Sequence, residues 1–173
     1  RAMVFTVYRC GFYPITAMDE DNGLENRIDK ITKLIRKCRY GIHDISRIEL
    51  NINGYPRFNM PYELGIFYGA RRFGDKLQKQ KNALIFEKIK YTYQQYLYDI
   101  NGIDTKAHNN NPQDLIESIR HWLFAQSRRK NLPSHKQLSA DYQNFNATLP
   151  KITRKVKMSI SEIPFNDYCL LVE

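Results

Sequence analysis

Short apolar runs alternate along the chain with stretches in which apolar residues recur every three or four positions. Ala2, Val4, Phe5 and Tyr8 form one helical face, and Cys10-Gly11 is its expected stop. Phe12 to Met18 predicts a short buried strand, and Asp19-Glu20-Asp21-Asn22-Gly23 an acidic loop. Leu24, Ile28, Ile31, Leu34 and Ile35 have the spacing of an amphipathic helix over Leu24 to Cys38. Arg39 to Ile45 predicts a second strand, and Ser46 to Arg57 a polar loop containing Gly54 and Pro56. Met60 to Phe73 predicts a helix with Pro61 in its first turn, where a missing N–H costs nothing. Asn82 to Ile89 predicts a third strand, whereas the tyrosine-rich run from Tyr91 to Asp104 fits helix and strand equally. Asn109-Asn110-Asn111-Pro112 is the clearest breaker. Beyond it Leu115, Ile116, Ile119, Trp122 and Leu123 mark a helix ending near Arg128. Leu138, Tyr142, Phe145 and Leu149 mark another, interrupted or kinked at Pro150, and Met158 to Glu173 predicts a short helix or an edge element.

Helix and strand alternating three times argue for the α/β class, a parallel sheet flanked by helices. Such a sheet normally opens on a strand, so a helix at Arg1 suggests that a segment precedes it and that the first strand is missing. Right-handed crossovers would place that strand in the middle of the sheet. Residues 1–106 form the expected core, and residues 107–173 a helical C-terminal extension packed on it.

The 173 residues are 42% hydrophobic and 26% charged, as in ordinary globular chains. No run approaches the ~20 apolar residues of a membrane span, and the first residues lack the pattern of a signal peptide. Cys10, Cys38 and Cys169, odd in number and widely spaced, suit reduced cytoplasmic thiols better than a disulfide framework. A net charge of +9 fits a phosphate-bearing ligand or a nucleic acid. It fits equally a protein with many solvated lysines, because the basic residues form no single long block.

Several familiar sites are absent: there is no G-x-G-x-x-G, Walker A loop, H-E-x-x-H or C-x-x-C. His43, His108, His121 and His135 are too widely spaced to suggest a local metal site. Asp44 and Ser46 fall at the carboxyl end of a predicted strand, where open parallel sheets bind ligands and where Asp44 or Ser46 would meet a ribose hydroxyl. Asp and Ser there are equally explained as turn formers. Glu63 falls in the expected first turn of its helix, where the macrodipole would keep it ionised. That suits a nucleophile or a stabiliser of developing positive charge, and also a plain capping carboxylate. Gly65 and Gly69, four apart, would admit the close approach of a strand or ligand, or serve packing alone. The tyrosines of 91–98 would stack on bases beside Lys88 and Lys90, or cover a sheet.

The segment Arg57-Phe58-Asn59-Met60-Pro61-Tyr62-Glu63-Leu64-Gly65, with Gly69 after it, resembles the R-x-N-x-x-x-E-L-G-x-x-x-G signature of TIR-like predicted nucleotide-binding proteins, relatives in fold of TIR domains and nucleoside 2-deoxyribosyltransferases. Ile42-His43-Asp44-Ile45-Ser46-Arg47 is similar to the strand end that precedes that signature, and the resemblance spans roughly Arg1 to Phe86. It implies a flavodoxin-like fold and cleavage or transfer at an N-glycosidic bond. Glu63 matches the catalytic glutamate at the anomeric carbon. Arg57, Asn59 and Met60 match the helix approach that holds phosphate or ribose, and Asp44 and Ser46 the positions lining the base or sugar pocket. The implied partner is a nucleotide, nucleoside or NAD-like small molecule, with no metal or redox cofactor and no membrane. A homo-oligomer is compatible with this reading. Two alternatives stay open: a non-catalytic nucleotide-sensing or self-associating TIR-like module, and a basic nucleic-acid-binding protein.

Overall fold

The computed structural model describes residues 1–18, 23–48, 52–155 and 157–173. Its elements are α1 (Ala2–Arg9), α2 (Arg27–Lys37), β1 (Tyr40–Asp44), α3 (Asn59–Phe73), β2 (Asn82–Glu87), β3 (Lys106–Ala107), α4 (Pro112–Ser127), α5 (His135–Lys155) and α6 (Phe165–Val172), with short 3-10 segments between them. The chain divides into two compact units, one of Asn22–Asn111 and the other of Arg1–Asp21 with Pro112–Glu173. The three asparagines end the first unit. The helix α1, counted with the sheet in the sequence, packs on α4, α5 and α6. Among the described residues, no helix is long and apolar enough to cross a membrane, and all three cysteines are free thiols.

The unit of residues 22–111 is α/β. Its sheet is open, parallel and three-stranded in the order β1-β2-β3. The register runs from Tyr40 opposite Asn82 to Asp44 opposite Phe86, and Phe86 stands opposite Lys106. β1 and β2 occupy the expected segments. β3, only two residues long, carries no periodicity for a sequence pattern to show. The Asn26 side chain accepts a hydrogen bond from Ile28 N at 3.2 Å and caps α2 there, which leaves Leu24 outside the helix and exposed. The tyrosine-rich run is neither long helix nor strand: it forms 3-10 turns at Thr92–Gln95 and Tyr98–Ile100.

Alternation along β1 places Gly41, His43 and Ile45 on the face that α3 covers. The His43 ring meets the Phe67 ring of α3 edge-on, centroids 5.1 Å apart. A Cβ added at Gly41 would stand 2.7 Å from His43 Nε2 and 2.8 Å from the Phe67 ring, so only glycine lets α3 lie this close. Toward the carboxyl end, Ile45, Leu64, Ile85 and Tyr93 form the buried cluster, with Met60, Tyr96, Leu97 and Ile103 packed against it. Lys81 fixes the other end. Its ammonium donates to the carbonyls of Ile35 and Cys38, at and just past the end of α2, and sits 5.0 Å from the Phe67 ring centroid. There it opposes the negative pole of α2, and burial lowers its pKa.

Two expectations are corrected. Phe12 to Met18 is not a strand. Pro14 removes a donor from the middle of the run, and Tyr13, Ile15 and Met18 remain exposed. Phe12 lies instead under the Arg129 guanidinium, 4.3 Å from its ring centroid. Gly65 and Gly69 bring no strand of the described residues close, because a Cβ at either would meet nothing within 4 Å. The acidic stretch Asp19 to Asn22 lies outside the described residues. In the unit that contains α1, Phe5, Tyr168 and Val172 form the core with Tyr142 and Phe145, and α5 runs through Pro150.

The glycines therefore separate by position. Gly41→Ala should destabilise by about 1–3 kcal/mol through overpacking. Gly65→Ala should stabilise by roughly 0.5–1 kcal/mol, the helix-propensity difference. Urea denaturation of the three proteins measures both signs. His43 gives a pH dependence of its own, since burial pushes its pKa down from 6.5 to about 4. The unfolded chain binds the proton first as pH falls. His43's contribution is therefore complete above about pH 6.5 and is lost progressively down to about pH 4, on the order of 3 kcal/mol in all. His43→Leu should flatten the pH dependence of the urea midpoint across that window.

Candidate functional site at the carboxyl edge of the sheet

Parallel strands end at one edge, and the polar residues that follow them cluster there. Asp44 closes β1, and its Oδ1 accepts hydrogen bonds from Ser46 N at 3.0 Å and Ser46 Oγ at 2.6 Å. The pair does form a turn, as short polar residues do, and that turn holds the carboxylate half-exposed at the edge. His108, just past β3, brings Nε2 to 3.6 Å from Asp44 Oδ1. That is too long for a hydrogen bond, and this buried nitrogen has no hydrogen-bond partner. His108 Nδ1 accepts from Asn110 N at 3.0 Å, which assigns the ring proton to Nε2. A buried N–H donor thus lies beside a carboxylate, the two contributed by the outer strands of the sheet.

Between them, Glu87 at the end of β2 is 1% exposed. Its carboxylate accepts from Tyr91 N at 3.1 Å, from Tyr93 N at 2.7 Å and from the Thr105 hydroxyl. These bonds pin the turn in which Tyr91 takes φ 67°. Tyr93 and Tyr96 then point inward, their hydroxyls donating to Ile103 O at 3.0 Å and Ile45 O at 3.1 Å. Two of the tyrosines read as base-stacking candidates are thus committed to the core. His108 N donates to Glu87 O at 2.9 Å, which carries the β2–β3 pairing onto the site histidine.

The other expected residues lie on and before α3. Arg57 and Asn59 are exposed, and Met60 packs into the cluster that holds Ile45. Glu63 is the fifth residue of α3, and the first turn carries no acidic residue. Its expected place in the first turn is therefore corrected, and the macrodipole gives its charge little support, because that effect fades beyond the first turn. Partial burial raises its pKa, and the charge of Arg27 opposes the rise. Strand alternation sets Asp44, opposite Phe86, on the face of the sheet away from α3. The Phe86 and His108 rings meet with centroids 6.1 Å apart. A ligand touching both Asp44 and Glu63 must therefore cross the end of β1 from one face to the other. Surface hollows lined by Leu24 to Lys33, and by Tyr8 to Tyr13 with Val172 and Glu173, share no residue with this edge.

Sequence reasoning missed Glu87 and His108. Glu87 had a signal, one acidic residue ending the apolar run Ala83-Leu84-Ile85-Phe86. His108 had none, since its strand is too short to be seen. Comparison of the chain with protein-family models, with curated proteins and with solved structures finds no match in any of the three.

Glu87→Gln keeps the side-chain shape but turns an amide NH2 toward hydrogen-bond donors. It should cost roughly 2–3 kcal/mol, the scale of leaving buried partners unsatisfied. Denaturant titration measures the loss, and amide exchange at Tyr91 and Tyr93 should quicken.

Proposed function

We propose that the unit of residues 22–111 binds a nucleotide or NAD-like ligand through its ribose, at the carboxyl edge of the sheet. The observation that carries this reading is the His108 Nε2–H and Asp44 carboxylate pair. A ligand hydroxyl accepts from the first and donates to the second, which satisfies a buried donor that otherwise has no partner. The 2′- and 3′-hydroxyls of a ribose are such groups. Ser46 fixes the carboxylate, and the parallel topology makes this edge the expected ligand position. The resemblance of Arg57 to Gly69 to the TIR-like signature adds the reaction. Glu63 acts on the ribose–base bond of a ligand that extends over the end of β1, stabilising the oxocarbenium-like sugar as the base leaves and water attacks.

Calorimetric titration with NAD, ADP-ribose, adenosine and adenine tests the binding. The ribose-bearing ligands should bind and adenine should not. Asp44→Asn and His108→Phe should each weaken binding by about tenfold or more, the worth of a hydrogen bond to a charged or buried partner. Equal affinity for adenine, or unchanged affinity in both variants, would overturn the proposal. Glu63→Gln should leave binding nearly intact and slow base release by about a hundredfold or more. Release at the parental rate would remove Glu63 from the reaction and leave a sensor.

A further inference from the structure

Two of the widely spaced histidines meet in the helical unit. On α4, Glu117 and His121 are separated by one helical turn and project from the same side. His135 is the first residue of α5. The chain between the two helices turns back so that the His121 and His135 rings stand edge-on, centroids 5.4 Å apart. Glu117 Oε1 lies 3.9 Å from His121 Nδ1. One ligand atom from each of the three residues falls within 4.8 Å of the others.

We propose that Glu117, His121 and His135 form a binding site for a divalent transition-metal ion, zinc by its chemistry. Two imidazole nitrogens and one carboxylate oxygen are borderline donors that suit zinc and disfavour magnesium or calcium, which take oxygen alone. Zinc bonds of 2.0–2.2 Å place tetrahedral ligand atoms about 3.4 Å apart. Rotations of exposed side chains cover the remaining distance, so the backbone need not move. Three protein ligands leave the fourth position to water.

The neighbouring residues hold the loop that presents His135. Arg120 Nε donates to Pro133 O at 2.9 Å, and Gln137 N donates to Ser134 Oγ at 3.1 Å, capping the start of α5. The metal would join α4 to α5 near the loop between them and stabilise the folded helical pair by mass action. The site shares no residue with the ligand edge of the sheet and stands independently of that reading.

The test uses the full chain without a histidine tag, stripped with a chelator and dialysed. Zinc chloride titrated in a calorimeter should bind at one saturable site, and cobalt(II) should give the intense visible absorption of a tetrahedral complex. His121→Ala and His135→Ala should each weaken zinc by more than the roughly 10–100-fold that disturbing an outer-shell partner costs. Glu117→Gln, exposed and nearly isosteric, should weaken it while leaving the far-ultraviolet circular dichroism unchanged. Thermal melting of the parent should rise with zinc and that of His121→Ala should not. No saturable binding, or zinc affinity unchanged in His121→Ala, would overturn the proposal.

Discussion

A carboxylate buried at the end of β2 ties together the loops that make the carboxyl edge of the sheet. Glu87 accepts two backbone N–H groups and one hydroxyl. Burying an acidic side chain without such partners would be strongly unfavourable. With them, the chain after β2 is forced into a tight turn and Tyr93 is driven into the core. Tyr96 then closes on the carbonyl of Ile45, one residue past Asp44. The backbone carbonyl of Glu87 itself receives His108 N. Both members of the candidate ligand pair are thus positioned through Glu87.

The positive charge acquires a different meaning once the side chains are placed. Lys81 is buried against the end of α2, Arg71 donates to Lys81 O at 3.0 Å, Arg120 holds Pro133, and Arg129 donates to Gly11 O at 2.7 Å. Each cation satisfies a carbonyl that helix ends and turns leave without a partner. Part of the +9 charge therefore serves the fold. Tyr93 and Tyr96 likewise commit their hydroxyls to backbone carbonyls.

The sequence carried the elements whose pattern is long. The helices at Asn59–Phe73 and Pro112–Ser127 repeat their period several times, and the strands at Tyr40–Asp44 and Asn82–Glu87 stand out as short runs between helical stretches. The place of Asp44 and Ser46 at the carboxyl end of β1 was legible because strand ends in parallel sheets are predictable places. What escaped depends on tertiary partners. Phe12 to Met18 has the apolar composition of a strand without the burial. Glu63 falls in the second turn rather than the first because the helix begins at Asn59, and the partial burial that raises its pKa comes from tertiary packing. His108 follows a two-residue strand, and the His121–His135 contact is made by a loop. No local spacing encodes either one.

The central claim is that a ribose-bearing ligand is held between Asp44 and His108. Chemical-shift mapping of the isotopically labelled chain during titration with ADP-ribose tests it most directly. The account predicts the largest changes at the amides of Asp44 to Arg47 and His108 to Asn110. It also predicts that the His108 Nε2–H resonance shifts as the nitrogen gains an acceptor. Saturable binding whose shifts fall elsewhere, with the His108 ring signal unmoved, would contradict it.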